Sequence, residues 1–334
     1  MNAPDGSGAP GAPTGPDDGY AALHASAGVR VVPRDVLAVS GPDAASYLQG
    51  QASQEIEGLA AGASADSLLL SPQGKVEALV RVTRTGDDTF VVDTEGGFGE
   101  VVDARLRRFR LRVKVEIEPL AWGCLSVRGP GSAGVVVGAP SLVVPVAWNG
   151  WSGVDLLGPP PEGGPLAWVD PSAARVGADA WEAARIEAGV PVVGRELTEG
   201  TIAAEVGLVD RTVSFTKGCF TGQELVARLD ARGSKVARSL CGVVVTGVGS
   251  DGPVDRGSGG SGPPVGAEVW TADGEHRVGT LTSVAWSPGF GAVVALATLH
   301  RRVRPPEVVS VRWDDRNGAG TGVAGEARPL PLVA

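Results

Sequence analysis

From residue 239 onward the chain is a series of short apolar runs, LCGVVVTG, AEVWTA, HRVGTLTSVAW, GAVVALATL and VVSVRW, separated by glycine, proline and charged residues. Evenly spaced runs of this length with no helical stretch between them are strands, and such a set closes most simply into a small β-barrel. Their first link, roughly Gly247 to Gly266, is rich in Gly, Ser and Pro, which predicts a flexible loop. Fifty glycines and 25 prolines among 334 residues carry the same turn-rich character through the rest of the chain, as expected of an α+β protein with many short strands.

Upstream, helices alternate with strands. Residues 1 to 20 are mostly Gly, Pro and Asp and bury too little apolar surface to offset ordering entropy, so they read as a disordered tail, with structure beginning near Gly28. VLAVSG (36–41) is a strand, and PDAASYLQGQAS a helix with Pro42 and Asp43 suited to its start. DSLLL and KVEALVRVTR flank the turn Ser71-Pro72-Gln73-Gly74 and form a hairpin, and TFVVDT adds a strand. Phe98, Val101, Val102, Leu106 and Phe109 recur at helical spacing, after which LRVKVEIE alternates as a strand. The six basic residues of Arg105–Lys114 read as a solvated helix edge and strand face, since no aromatic platform interleaves them. A second unit starts near residue 120 with CLSVRG. LVVPVAW and WSGVDLLG flank Asn149-Gly150, the dipeptide of a type I′ hairpin turn. DAWEAARIEAG (179–189) is a helix with Trp181, Ala184 and Ala188 on one face, closed by Gly189 and Pro191.

Composition excludes several functions. The net charge of −9 opposes attraction to phosphate backbones, so no direct nucleic-acid partner is expected. Cys124, Cys219 and Cys241 are too few and too scattered for a secreted disulfide framework, which predicts a reducing cytoplasm. The N-terminal stretch lacks the regions of an export signal, and no apolar run reaches membrane-spanning length. Gly129-Pro130-Gly131-Ser132-Ala133-Gly134 matches the dinucleotide fingerprint in letters, but VVVGAPSLVVPV follows it where a helix must begin. His24, His276 and His300 are scattered and no cysteine pair has ligand spacing, so no metal site is expected. No nucleophile elbow of the hydrolase kind is present.

One segment demands chemistry. In KGCFTGQE (217–224), Cys219 follows Lys217 at two residues between Gly218 and Gly222. A nearby ammonium and glycine-shaped backbone N–H groups favour a thiolate, whereas Cys124 and Cys241 sit among strand apolars and read as inert. VSFTKGCFTGQELVARLDARGSKVARSL (213–240) resembles the signature of YgfZ-type folate-binding proteins, K-G-C-[FY]-x-G-Q-E followed by V-A-R and a basic stretch. The resemblance extends to GPDAASYLQGQAS, RIEAGVPV (185–192) and VGTLTSVAWSPGFGAVVALATLHR.

The resemblance implies a ring related to the T-protein (aminomethyltransferase) of the glycine cleavage system, with tetrahydrofolate in a central hole. Residues 28–118 would begin the folate-binding domain, 196–238 complete it, 119–195 form a second α+β domain, and 239–334 the barrel. The implied function is a folate-binding accessory factor for iron-sulfur cluster assembly or repair, serving iron-sulfur client or assembly proteins and only indirectly tRNA-modifying radical enzymes. The alternative is a folate-dependent aminomethyltransferase-like one-carbon transferase. Cys219 and Lys217 match the catalytic pair. Trp181, Glu187, Glu77, Gln223 and Arg228 are the implied folate contacts, because an aromatic face stacks on a pterin and a carboxylate accepts its paired N–H donors. Arg228, Arg232, Lys235 and Arg238 would attract an anionic polyglutamate tail. The chain departs from the pattern in two places. Arg34 stands where some members carry an aromatic folate contact, and Glu77 and Ala78 stand where T-proteins carry paired aspartates.

Overall fold

The structure, a computed structural model, describes residues 19–148, 150–231, 233, 235–246, 262–314 and 320–332. The short helix α1 (Tyr20–Ala25) is followed by β1 (Gly28–Val31), β2 (Arg34–Ser40), α2 (Ala44–Gln51), β3 (Ser64–Leu70), β4 (Val76–Arg84), β5 (Thr89–Glu95), α3 (Gly99–Arg108) and β6 (Glu116–Leu120). Then come β7 (Gly123–Arg128), β8 (Leu142–Val146), β9 (Gly153–Gly158), β10 (Ala174–Arg175), α4 (Ala178–Glu187), α5 (Val209–Thr212) and α6 (Gln223–Asp230). Strands β11 (Arg238–Val245), β12 (Glu268–Thr271), β13 (Arg277–Ser287), β14 (Ala292–His300), β15 (Glu307–Asp314) and β16 (Gly320–Arg328) complete the chain.

Two five-stranded sheets make the body, in the orders β3-β4-β5-β2-β6 and β10-β1-β7-β9-β8. The chain passes from the second to the first at Val32-Pro33, between β1 and β2. Period-two alternation gives each strand of the first sheet a core face and an inner face. Ala78, Val80 and Val82 of β4 pack with Leu48 of α2 and Leu106 of α3 in one apolar cluster, which leaves Leu79 and Arg81 on the inner face. Leu197, Ala203, Val206 and Val226 close over Leu68 and Leu70 of β3, so the segment after α4 returns to the first sheet.

The expected barrel is present: β11-β14-β13-β12-β15-β16 closes on itself. Its interior is narrow and is filled by small residues, with Ala295, Ala297 and Ala327 fully buried beside Val243, Val269 and Val311. The sixth strand, GTGVAGEAR, is too glycine-rich to read as one from sequence. Among the described residues no helix is long and apolar enough to cross a membrane.

Three expectations are corrected. Helix α1 already precedes Gly28, because Tyr20 packs against α4 and the barrel. The strand expected from Leu111 starts only at Glu116, because Arg112 takes a left-handed backbone, φ 58°. The β8–β9 hairpin forms, but its strands end at the Val146–Gly153 pair. The Trp151 N–H donates to Trp148 O at 2.9 Å inside the connecting loop, and Asn149 lies outside the described residues. So do residues 1–18, most of the 247–266 link, and Arg232.

Candidate functional site

A cavity of about 830 Å³ lies between the inner faces of the two sheets, α4 and the segment that follows it. Three tryptophans line it: Trp148 and Trp151 from the β8–β9 loop and Trp181 from α4. Trp151 and Trp181 meet edge to face, with ring centroids 4.5 Å apart and planes at 71°, a favoured aromatic geometry. The Arg128 guanidinium sits 5.5 Å from the Trp151 centroid and 5.6 Å from that of Trp181, and Arg211 lies 4.1 Å over Trp148. The lining is of mixed charge, with six arginines and five carboxylates. Two of the five acids are held less readily ionised than usual. Burial pushes the carboxyls of Asp66 and Glu95 above their ordinary range, partly offset by Arg211 and by the Val193 N–H respectively.

Part of this lining is a buried ionic cluster that joins the sheets. Arg81 of β4 donates to both oxygens of Asp93 of β5, each at 3.0 Å, and reaches across to Asp155 of β9 at 2.7 Å. Asp155 also accepts from Ser126 Oγ at 2.6 Å and pairs with Arg128 at 2.8 Å, and Arg34 closes the cluster on Asp93. Burial alone would raise the Asp155 carboxyl, but Arg128 and Arg81 overcome it and hold that carboxyl far below the usual range. One donor is left over: Arg128 Nε is buried without a partner among the described residues.

A second cluster ties α4 to the barrel. Arg185 donates to Glu182 at 3.0 and 2.7 Å and to Ser283 Oγ of β13 at 2.7 Å, and that hydroxyl donates to Glu196 at 2.6 Å. The register of β13 slips between Leu281 and Ser283; such a bulge re-aims a side chain, here the fully buried Ser283. Burial opposes ionisation of Glu182, yet Arg185 and Arg195 bring its carboxyl down to about 2.

The structure divides the implied site residues into three groups. Trp181 lines the cavity. Glu187 and Glu77 lie away from its lining. Both Glu187 oxygens accept from Tyr20 OH, at 2.9 and 2.8 Å, and Ser287 Oγ donates to the same carboxylate; the unforeseen α1 is what brings Tyr20 there. Glu77 is skipped in the β3–β4 register, where Leu69 pairs with Ala78 and Leu70 with Val76. That bulge leaves its carboxylate with Arg105 of α3 at 2.6 Å. Arg34, at the position where the resemblance implies an aromatic contact in some members, lines the cavity as a member of the ionic cluster.

The signature residues form the third group. Lys217 Nζ donates to the carbonyls of Gln49, Ala52 and Gln54 at 2.6, 2.7 and 2.9 Å, and Gln54 lines the cavity. Burial pushes this ammonium down to about 8, against the pull of Glu55 and Glu57. Gln223 Oε1 accepts the Phe220 N–H at 3.2 Å, which folds the loop over the start of α6. Cys219 is exposed, and Arg228 projects into solvent from α6. Neither lines the cavity. Cys124 and Cys241 are buried, and burial pushes their thiols up to about 12 and about 11. Alkylation of the native protein should therefore modify Cys219 at once and the other two only after unfolding, which peptide mass spectrometry reads directly; native labelling of Cys241 would contradict the fold of β11.

Sequence reading passed over Asp155, Arg81, Arg128, Trp148 and Trp151. The available signal was the isolated charge within an apolar run, in ALVRV, GVDLLG and CLSVRG, since charges in buried strands persist only when paired.

The chain is similar to proteins of two names. An aminomethyltransferase of Corynebacterium jeikeium is 25% identical over 306 residues, spanning 78% of this chain and 75% of that one. The tRNA-modifying protein YgfZ of Edwardsiella ictaluri is 29% identical over 224 residues, 59% of this chain and 64% of that one. Among solved structures, the glycine cleavage system aminomethyltransferase T of Bartonella henselae superposes with a TM-score of 0.78 at 21% identity, over 96% of this chain and 90% of that one. No protein-family model matches the chain. The resemblance read from the signature holds: the chain fits the superfamily of YgfZ and T-protein, and its fold is that of T-protein.

Proposed function

We propose that this chain binds a reduced folate, tetrahydrofolate or a derivative, in the central cavity and serves in the cytoplasm as an accessory factor for iron-sulfur cluster assembly or repair. Iron-sulfur client or assembly proteins would be met through Cys219, and tRNA-modifying enzymes would be supported indirectly. The observation that carries the reading is the cavity wall, where Trp181 shares the lining with the acids Asp66 and Glu95. The residues fit the ligand. A cavity of about 830 Å³ falls within the usual range for small-molecule sites, Trp148 and Trp181 offer flat apolar faces, and Glu95 and Asp66 can accept from an aminopyrimidine edge. Arg128 Nε, which is buried without a partner among the described residues, offers a donor to a ring nitrogen or carbonyl. Lys217 acts on the thiol segment from behind, by fastening it to the end of α2.

The experiment is calorimetric titration of tetrahydrofolate into wild type, Trp181→Ala and Cys219→Ser. Stacking one heterocycle on an aromatic side chain is worth about 1–3 kcal/mol, so Trp181→Ala should weaken binding by roughly that amount. Cys219→Ser should bind as wild type yet lower iron-sulfur enzyme activity in cells. Absence of folate binding in the wild type, or an unaltered affinity in Trp181→Ala, sinks the cavity assignment. The transferase reading draws on the aminomethyltransferase relatives, but the acids it would use, Glu77 and Glu187, are held by Arg105 and by Tyr20 and Ser287. Turnover with a lipoyl carrier protein would restore it.

A further inference from the structure

We infer that the loop joining α3 to β6 is a docking surface for a partner protein that presents an acidic face around an apolar socket. Three independent features converge there. Leu111 is 76% exposed, the most open of the large apolar side chains among the described residues, so the isolated molecule pays hydration free energy at this tip. Arg112, the next residue, is the single non-glycine residue with positive φ among those described, at 58°; strain of this kind persists where the surroundings enforce it and concentrates at binding sites. Around the tip, Arg108, Arg110, Arg112 and Lys114 are all exposed, and none has a carboxylate partner among the described residues. The neighbouring acid Asp43 is already engaged, accepting the Lys114 backbone N–H at 2.7 Å, and Asp103 holds Arg107.

A purely solvated face explains the arginines but leaves the presented leucine and the strained backbone without cause. Nucleic acid fits less well, because the one aromatic ring in the segment, Phe109, is covered by Arg105 at 4.0 Å and Arg108 at 5.6 Å and offers no stacking platform. An acidic protein face satisfies the unpaired cations, and an apolar socket removes Leu111 from water. The net charge of −9 sets this patch against the rest of the surface and disfavours a second copy of the chain as occupant. The loop lies at the start of α2, where Asp43 meets Lys114, and the thiol segment at its end, where the Thr221 N–H donates to Gly50 O at 3.2 Å. Eight residues of helix separate them by about 12 Å, which an interface of ordinary area spans.

The test uses the full chain and three labelled probes: a short Glu/Leu peptide, an RNA duplex and anionic phospholipid vesicles, compared by fluorescence anisotropy or sedimentation at low and physiological salt. The peptide should bind, with the affinity lowered about tenfold or more in Arg108→Glu/Arg112→Glu/Lys114→Glu, lowered in Leu111→Ser, and kept in Arg108→Lys/Arg112→Lys. All variants should keep the wild-type melting temperature, since these side chains are exposed. Equal peptide binding by wild type and the charge-reversal variant, no peptide binding even at low salt, or tighter binding of RNA or vesicles than of peptide would each overturn the proposal. Tetrahydrofolate affinity should be unaltered in these variants, so the outcome is independent of the cavity's ligand.

Discussion

Asp155→Asn should be the most damaging single substitution in the body, lowering stability by about 3–5 kcal/mol, the usual cost of breaking a buried ion pair by removing one partner. The carboxylate is 4% exposed and is shared by Arg81, Arg128 and Ser126. Asparagine keeps the shape but offers one acceptor oxygen and no charge, so two guanidinium groups lose their shared counter-charge in a low-dielectric site. Urea denaturation read by tryptophan fluorescence measures the loss, and a change below about 1 kcal/mol would refute the cluster as drawn. The double replacement Asp155→Leu with Arg81→Met should cost less than the sum of the two single changes, because the Arg81–Asp155 pair is removed together. The pH dependence has a definite sign. The folded-state carboxyl lies below its unfolded value of about 3.9, so its contribution is present above that value and is lost as pH falls through the folded one. The wild type should therefore shed stability below roughly pH 4, and Asp155→Asn should lack that share of the acid limb.

Gly222→Ala should come next, at about 2–4 kcal/mol. Gly222 is left-handed, φ 82°, where a side chain costs about 1–2 kcal/mol. An added methyl would also overlap the Ser71 carbonyl oxygen and stand 2.8 Å from Leu70 Cβ and 3.1 Å from Gly74 Cα; overpacking of this kind adds about 1–3 kcal/mol. The glycine lets the signature loop lie flat on the β3–β4 turn, and α6 starts from it. A control sits four residues earlier. A methyl on Gly218 meets nothing within 4 Å and its φ is ordinary, so Gly218→Ala should stay within about 0.5 kcal/mol. Thermal unfolding separates the two, and faster alkylation of Cys219 in Gly222→Ala alone would show the loop lifting from its seat. Equal melting temperatures for both variants would refute the packing argument.

The strands and the barrel were legible because alternation and turn residues are local properties, and the α4 helix was legible from Trp181, Ala184 and Ala188 with Gly189 behind them. The misread at Leu111–Val115 shows the limit. Its alternation is real in the letters, but one left-handed residue, Arg112, takes the segment off the sheet. Glu77 and Glu187 sit away from the cavity lining for non-local reasons. A one-residue bulge re-aimed the first, and the second was claimed by Tyr20, which lies 167 positions away along the chain. The ionic cluster was the least legible part, since Arg81 and Asp155 belong to different sheets and only their juxtaposition turns two odd charges into a pair.

Helix α4 has a double duty. Its Trp181 and Glu182 form cavity wall, while Arg185 and Glu187 grip Ser283 and Ser287 on a single barrel strand. A guest that tilts this beam must drag β13 with it, and thermodynamic reciprocity then requires that whatever loads the barrel tune the guest's retention by an equal factor.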